Sequence, residues 1–210
     1  MPNKNSAVEY INLLEKKAPE LLDLFCSENN ESFEVAFDKL LEKAIIGLQQ
    51  NCKDYSALNE NGLSSVLAQA LQMPGLNVQR EPSSNGHVDI MVTVDHSFPL
   101  KIKLIEAKIY DGPAYHIEGL NQLLGRYTTG QETRGIILEY VKRKDIAGLV
   151  KKIREAMDGQ LPCQQKGTTQ DHILKWSFLS CHKHSSGEDL DVAHIGCNMY
   201  HASIDSNSQS

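Results

Sequence analysis

The segment Lys103–Tyr110, KLIEAKIY, has the apolar density of a buried strand, yet it carries Glu106 and Lys108. Successive side chains of a strand point to opposite faces. Ile102, Leu104, Glu106, Lys108 and Tyr110 are therefore expected on one face, and Ile105, Ala107 and Ile109 on the other. The expectation is that Ile102 and Leu104 anchor the strand in the core, while its second half delivers Glu106 and Lys108 together to the rim.

The neighbouring segments set this strand in a sheet. Upstream, LNVQRE (76–81) and HVDIMVTVD (87–95) read as strands around a turn PSSNG, with Val88, Ile90, Val92 and Val94 sharing a face. Downstream, AYHIEGLNQLLGRY (114–127) spaces Leu120, Leu123, Leu124 and Tyr127 as an amphipathic helix does. RGIILEYV (134–141) is a β-branched apolar run and reads as a strand, and KDIAGLVKKIREAM (144–157) as a helix. Two further strands, HILKWSFLSCH (172–182) and LDVAHIGCNMY (190–200), are joined by a turn SSGED. A helix over SALNENGLSSVLAQALQM (56–73), stopped by Pro74-Gly75, precedes the first strand. A meander followed by a helical crossover predicts an α/β fold, a central mixed β-sheet flanked by helices.

Residues 7–50 read as helices, with a break at Pro19 and a polar turn at SENNE. The organisation expected is an N-terminal helical extension (1–52), a sheet domain (53–202) and a disordered tail (203–210). The extension suits a dimerisation arm or a brace for the core. Five cysteines without a CxxC predict reduced thiols rather than a disulfide framework. No run reaches the ~18 apolar residues of a membrane span, and the first residues, MPNKNSAVEY, lack a signal-peptide core. A cytoplasmic protein with no membrane association is expected. The net charge of −6 marks no global nucleic-acid binder, but leaves room for a local basic groove.

An E-x-K triplet is weak by itself, and Glu15-Lys16-Lys17 also matches. That copy lies on a predicted helix, where residues two apart do not face each other. Asp89 falls opposite in phase to the apolar face of its strand, and a hairpin would bring it toward Glu106. Two converging carboxylates at the edge of a core need a cation or a proton between them, and carboxylate oxygens with water are the usual Mg²⁺ ligands. Glu60 projects onto the stripe of Leu67 and Leu71, as a helix-start acid or as an acid turned inward. Gln122 and Arg126, one turn apart, flank the apolar stripe of the next helix, within reach of a phosphate backbone.

Glu60, Asp89, Glu106-Ala107-Lys108 and Gln122, in this order, resemble the PD-(D/E)XK nuclease superfamily, the restriction-endonuclease-like fold. The resemblance spans 56–141 in the order helix, three strands, helix, strand. It implies Mg²⁺-dependent cleavage of phosphodiester bonds, usually in DNA, with Mn²⁺ as a substitute. By position, Asp89 and Glu106 would bind the metal, with the Ala107 carbonyl as a further ligand and Glu60 assisting directly or through water. Lys108 would orient the attacking water and stabilise the phosphorus centre. Gln122, with Tyr127 behind it, resembles the Gln/Tyr helix motif of recombination-type exonucleases. Val88 stands where the superfamily name has Pro, a position that varies widely. Roles in restriction, phage defence or repair follow by analogy, and so does a homo-dimer or higher oligomer cutting both strands.

Other readings stay open. The same fold serves as a non-catalytic nucleic-acid or protein-binding module, or as an RNA-cleaving enzyme. For Glu106 and Lys108 the plain alternative is a cross-strand salt bridge on an edge strand. Cys181-x2-His184 and Cys197-x3-His201 have zinc-like spacing, against which stands a hairpin packing Trp176, Phe178 and Ile195 inward with exposed histidines. Lys142, Arg143, Lys144, Lys151, Lys152 and Arg154 form basic runs, either a solvated helix face or a phosphate-binding surface.

Overall fold

A computed structural model describes residues 6–81, 88–95 and 97–202. The expected turn at 82–86 and tail at 203–210 lie outside the described residues. The chain divides into two compact units, Met1–Lys43 and Ala44–Ser210, with the boundary inside one helix.

The first unit holds α1 (Ala7–Lys17), α2 (Pro19–Phe25) and most of α3 (Asn30–Gln50). Ser6 caps α1, accepting from the Glu9 amide, and Pro19 opens α2 at a position where a missing N–H costs nothing. No residue of α1 is buried. Lys39 pairs with Asp23 at 2.8 Å and Lys43 with Glu20, so α2 and α3 are stitched at their surface.

The second unit is built on a mixed sheet of seven strands flanked by helices, in the order β1-β2-β3-β4-β7-β6-β5. α4 (Glu60–Leu71) precedes β1 (Leu76–Arg80), β2 (Ile90–Val94) and β3 (Ile102–Ile109), an antiparallel meander. α5 (Pro113–Gln122) and a π-helical turn (Leu123–Tyr127) cross over to β4 (Gly135–Val141), which runs parallel to β3. α6 (Ile146–Gln160), β5 (Gln170–Asp171), β6 (Ser177–Lys183) and β7 (Asp189–Asn198) follow, and β7 lies parallel to β4. β3 is thus an interior strand, buried on both faces, where the salt-bridge alternative required an edge.

Leu104 of β3 and Tyr110 just after it, Ile137 and Val141 of β4 and Val192 of β7 form one cluster with Leu120, Leu123, Ile153 and Met157, so α5 and α6 cover that face. α4 covers the opposite face: Leu63, Leu67 and Leu71 are fully buried, and Ser64 Oγ lies 3.4 Å from the Tyr140 hydroxyl.

Several boundaries differ from the expectation for local reasons. α4 starts only at Glu60, because Asn59 caps it by accepting from the Gly62 amide. β6 starts at Ser177 because Trp176 has a left-handed backbone (φ 57°), and its carbonyl accepts from the Gly196 amide instead. α5 yields to the π turn, which the Thr128 amide closes on the Leu123 carbonyl at 3.0 Å. Leu120, Leu123 and Tyr127 are buried as expected, whereas Leu124 is half-buried.

Candidate active site at the end of strand β3

β2 ends opposite Ile105, but β3 runs on to Ile109. The amides of Ala107 and Ile109 consequently lose their strand partner on that side, and an unpaired buried amide is costly. Two carboxylates take them up. Asp89 Oδ2 accepts from Ala107 N–H at 2.8 Å, and Glu60 Oε2 from Ile109 N–H at 2.9 Å. Asp89 lies just before β2 rather than within it, and the turn there frees its side chain to reach along β3. Glu60, first residue of α4, is the acid turned inward of the two readings.

Between these acids stands the pair of the opening segment. Lys108 Nζ is 2.6 Å from Glu106 Oε1 and 3.8 Å from Glu60 Oε1. Both side chains are buried, not at the rim: Glu106 is 2% exposed and Lys108 9%. α5 lies directly over them. Gly112, with φ 106°, starts that helix, and a Cβ at Gly119 would sit 3.3 Å from Lys108 Cε. Burial, and next the charge of Asp89, push the Glu106 carboxyl up to about 7. Asp89 is raised as well, mainly by burial, against the opposing Ala107 amide and Lys108. Burial alone would lower Lys108, but Glu106, Glu60 and Asp89 outweigh it and hold the ammonium above its ordinary range. The site therefore carries one fixed cation among three acids, one of which titrates near neutrality.

Glu106 Oε2 is buried with no hydrogen-bond partner among the described residues. Two carboxylates with one orphaned oxygen suit a hard divalent cation that keeps most of its own waters. Glu60 does not complete a ready-made cage. Among the described residues, no group of three or more His, Cys, Asp or Glu side chains is placed to hold a metal ion. Ala107 presents its amide to Asp89.

The remaining sequence candidates separate. Gln122 ends α5 half-buried, with no hydrogen bond to Asp89, Glu106 or Lys108, and Arg126 is exposed on the π turn. Tyr127 is core, and its hydroxyl is raised by burial first and by the charge of Glu106 second. Tyr115, unmarked in the sequence, places its ring 5.8 Å from Lys108 Nζ.

The basic runs are largely engaged. Lys142 Nζ donates to the Ser56 and Leu58 carbonyls at 3.0 and 2.6 Å, Arg143 pairs with Asp111, and Arg154 binds Thr169 and Asp171. The zinc spacing does not close either: Cys181 pairs in register with Asp191, six positions from Cys197 along β7. The hairpin's histidines are not exposed as the alternative reading had them, since His182, His184 and His194 are buried.

Sequence reasoning missed Glu139 and His116. Glu139 is Lys108's register partner on β4, and its Oε1 lies 2.8 Å from His116 Nδ1 on α5. A lone acid in the apolar run RGIILEYV was the available signal. Comparison with protein-family models, curated proteins and solved structures finds no match for this chain.

Proposed function

We propose that this chain is a metal-dependent nuclease hydrolysing phosphodiester bonds in DNA, on a restriction-endonuclease-like core. The observation that carries the reading is the convergence of Asp89, Glu106 and Lys108 at the end of β3, with a buried Glu106 oxygen left unpaired. The order α4, β1, β2, β3, α5, β4 supports it, being the helix, three strands, helix, strand that the resemblance implies.

Asp89 and Glu106 would hold Mg²⁺ or Mn²⁺, which supplies a water nucleophile at neutral pH and a Lewis acid at the phosphoryl oxygen. Lys108, kept as an ammonium by its three acids, stabilises the charge that develops on the phosphoryl oxygens. Glu60 holds that ammonium from α4 and fixes the end of β3 through Ile109 N–H. Gln122, at the end of the helix that covers the site, and Arg126, on the π turn after it, meet the phosphate backbone.

The test is incubation of plasmid, linear and single-stranded DNA, and RNA, with Mg²⁺, Mn²⁺ or EDTA, beside Lys108→Ala and Asp89→Ala proteins. DNA cleavage should require the metal and fall by at least about 100-fold in each variant. Cleavage of nothing, or equal cleavage by the variants, sinks the reading in favour of a binding module. Metal-dependent cleavage of RNA alone moves the substrate class.

A further inference from the structure

Behind the candidate site, five side chains from four elements form one unbroken buried chain. Glu139 Oε1 meets His116 Nδ1 at 2.8 Å, and His116 Nε2 meets His194 Nδ1 at 2.7 Å. His194 Nε2 and His182 Nε2 each lie 2.6 Å from Ser180 Oγ. His182 Nδ1 then reaches the Cys163 carbonyl at 3.1 Å. His116, His182 and His194 are at most 1% exposed, Glu139 2% and Ser180 3%.

The carbonyl fixes the direction of the chain. It can only accept, so His182 carries a proton on Nδ1. With that ring neutral, Nε2 accepts from the Ser180 hydroxyl. Ser180 in turn accepts from His194 Nε2–H, and His194 Nδ1 accepts from His116 Nε2–H. One proton is left to place, between His116 Nδ1 and Glu139 Oε1. Passing it along to His182 would leave an imidazolium and a carboxylate at opposite ends of a dry interior, which their separation and burial disfavour. A carbonyl end also passes no proton onward, so the array is not a conduit to solvent.

We propose that Glu139, His116, His194, Ser180 and His182 form a proton-ordered positioning array that fixes α5 over Lys108 and keeps one proton between Glu139 and His116. The role rests on the nuclease reading of the site; the order of the protons does not. Glu139 faces Lys108 across β3 and β4, His116 from α5, and through it His194 from β7. Glu60 acts on it electrostatically from α4, and α6 lines this seam with the apolar Val150 and Ile153. Its second oxygen, Oε2, has no hydrogen-bond partner among the described residues. The array thus binds α5, β4, β6 and β7 into one unit, and its single shared proton is held on the strand register partner of Lys108.

The test is long-range ¹H–¹⁵N correlation on the full chain labelled at histidine and lysine, wild type beside Glu139→Gln and Ser180→Ala. His182 should appear as the Nδ1–H tautomer and His194 as the Nε2–H tautomer, both neutral from about pH 6 to pH 8. Glu139→Gln removes the shared proton, leaves His116 with its ring proton on Nε2, and should move both the His116 Nδ1 and the Lys108 Nζ resonances. Ser180→Ala should release His194 to exchange between tautomers. In an active enzyme, Glu139→Gln should lower kcat about tenfold at unchanged KM. An Nδ1–H or imidazolium His194, or an unmoved His116 and Lys108 in Glu139→Gln, overturns the array. Wild-type protein that cuts no nucleic acid but shows the assigned ring protons removes the nuclease reading and leaves the ordered array standing.

Discussion

Glu106 is the residue at which burial, charge and chemistry meet. Its carboxyl is lifted to about 7, by burial first and Asp89 second. The folded chain therefore holds this proton more tightly than the unfolded chain. The favourable contribution is complete below the unfolded value and is lost as pH rises toward 7. A divalent cation competes with that proton for the same oxygens. Calorimetry should find that Mg²⁺ at ten times its Kd raises Tm by about 3–5 °C at pH 8 and by less at pH 6. In Asp89→Asn the metal-dependent shift should vanish. Equal shifts in both proteins would take the cation away from this site. The pairing of Glu106 with Lys108 was legible because it needs only strand alternation. The same reasoning missed the buried Lys103 on the opposite face, whose ammonium donates to the Arg134 carbonyl at 3.3 Å. Glu139 was illegible for a different reason. Its place beside Lys108 depends on a parallel register between segments that the local pattern does not encode.

At the scale of elements, α5 and the loop before α4 position the three acids and Lys108 without supplying any of them. Gly119→Ala should gain up to about 1 kcal/mol of helix propensity while crowding Lys108 Cε at 3.3 Å. The expected outcome is a Tm unchanged or raised with cleavage reduced about tenfold, measured by thermal melts and plasmid assays. A loss of both would mean the helix had shifted bodily. Lys142→Met removes the donor that gathers the Ser56 and Leu58 carbonyls ahead of Glu60. It should cost about 1–2 kcal/mol and leave the salt dependence of DNA binding unchanged. Were Lys142 a phosphate contact, the salt slope would fall by about 1 instead. The order of elements from α4 to β4 was legible, since hydrophobic period and turn residues are local. Their ends were less so: Asn59, Trp176 and the π turn reset boundaries through caps and backbone geometry that periodicity does not carry.

At the scale of the whole chain, the two compact units differ in how they are held. α1 buries none of its residues, whereas β4 is buried along its full length. Hydrogen exchange should show α1 amides nearly unprotected and β4 amides opening only with global unfolding. Protection of α1 equal to that of β4 would point to a second copy covering it. Among the described residues no helix is long and apolar enough to cross a membrane. The late position of β7 in the chain has a consequence in time. During synthesis β4 emerges well before Asp189–Asn198, the segment that pairs with its outer edge and supplies His194. Until then β4 is an open strand edge, prone to recruit foreign strands, and Glu139 and His116 lack the ring that completes them. β7 therefore completes the histidine array behind the candidate site later in synthesis than α5 and β4, the elements that array joins.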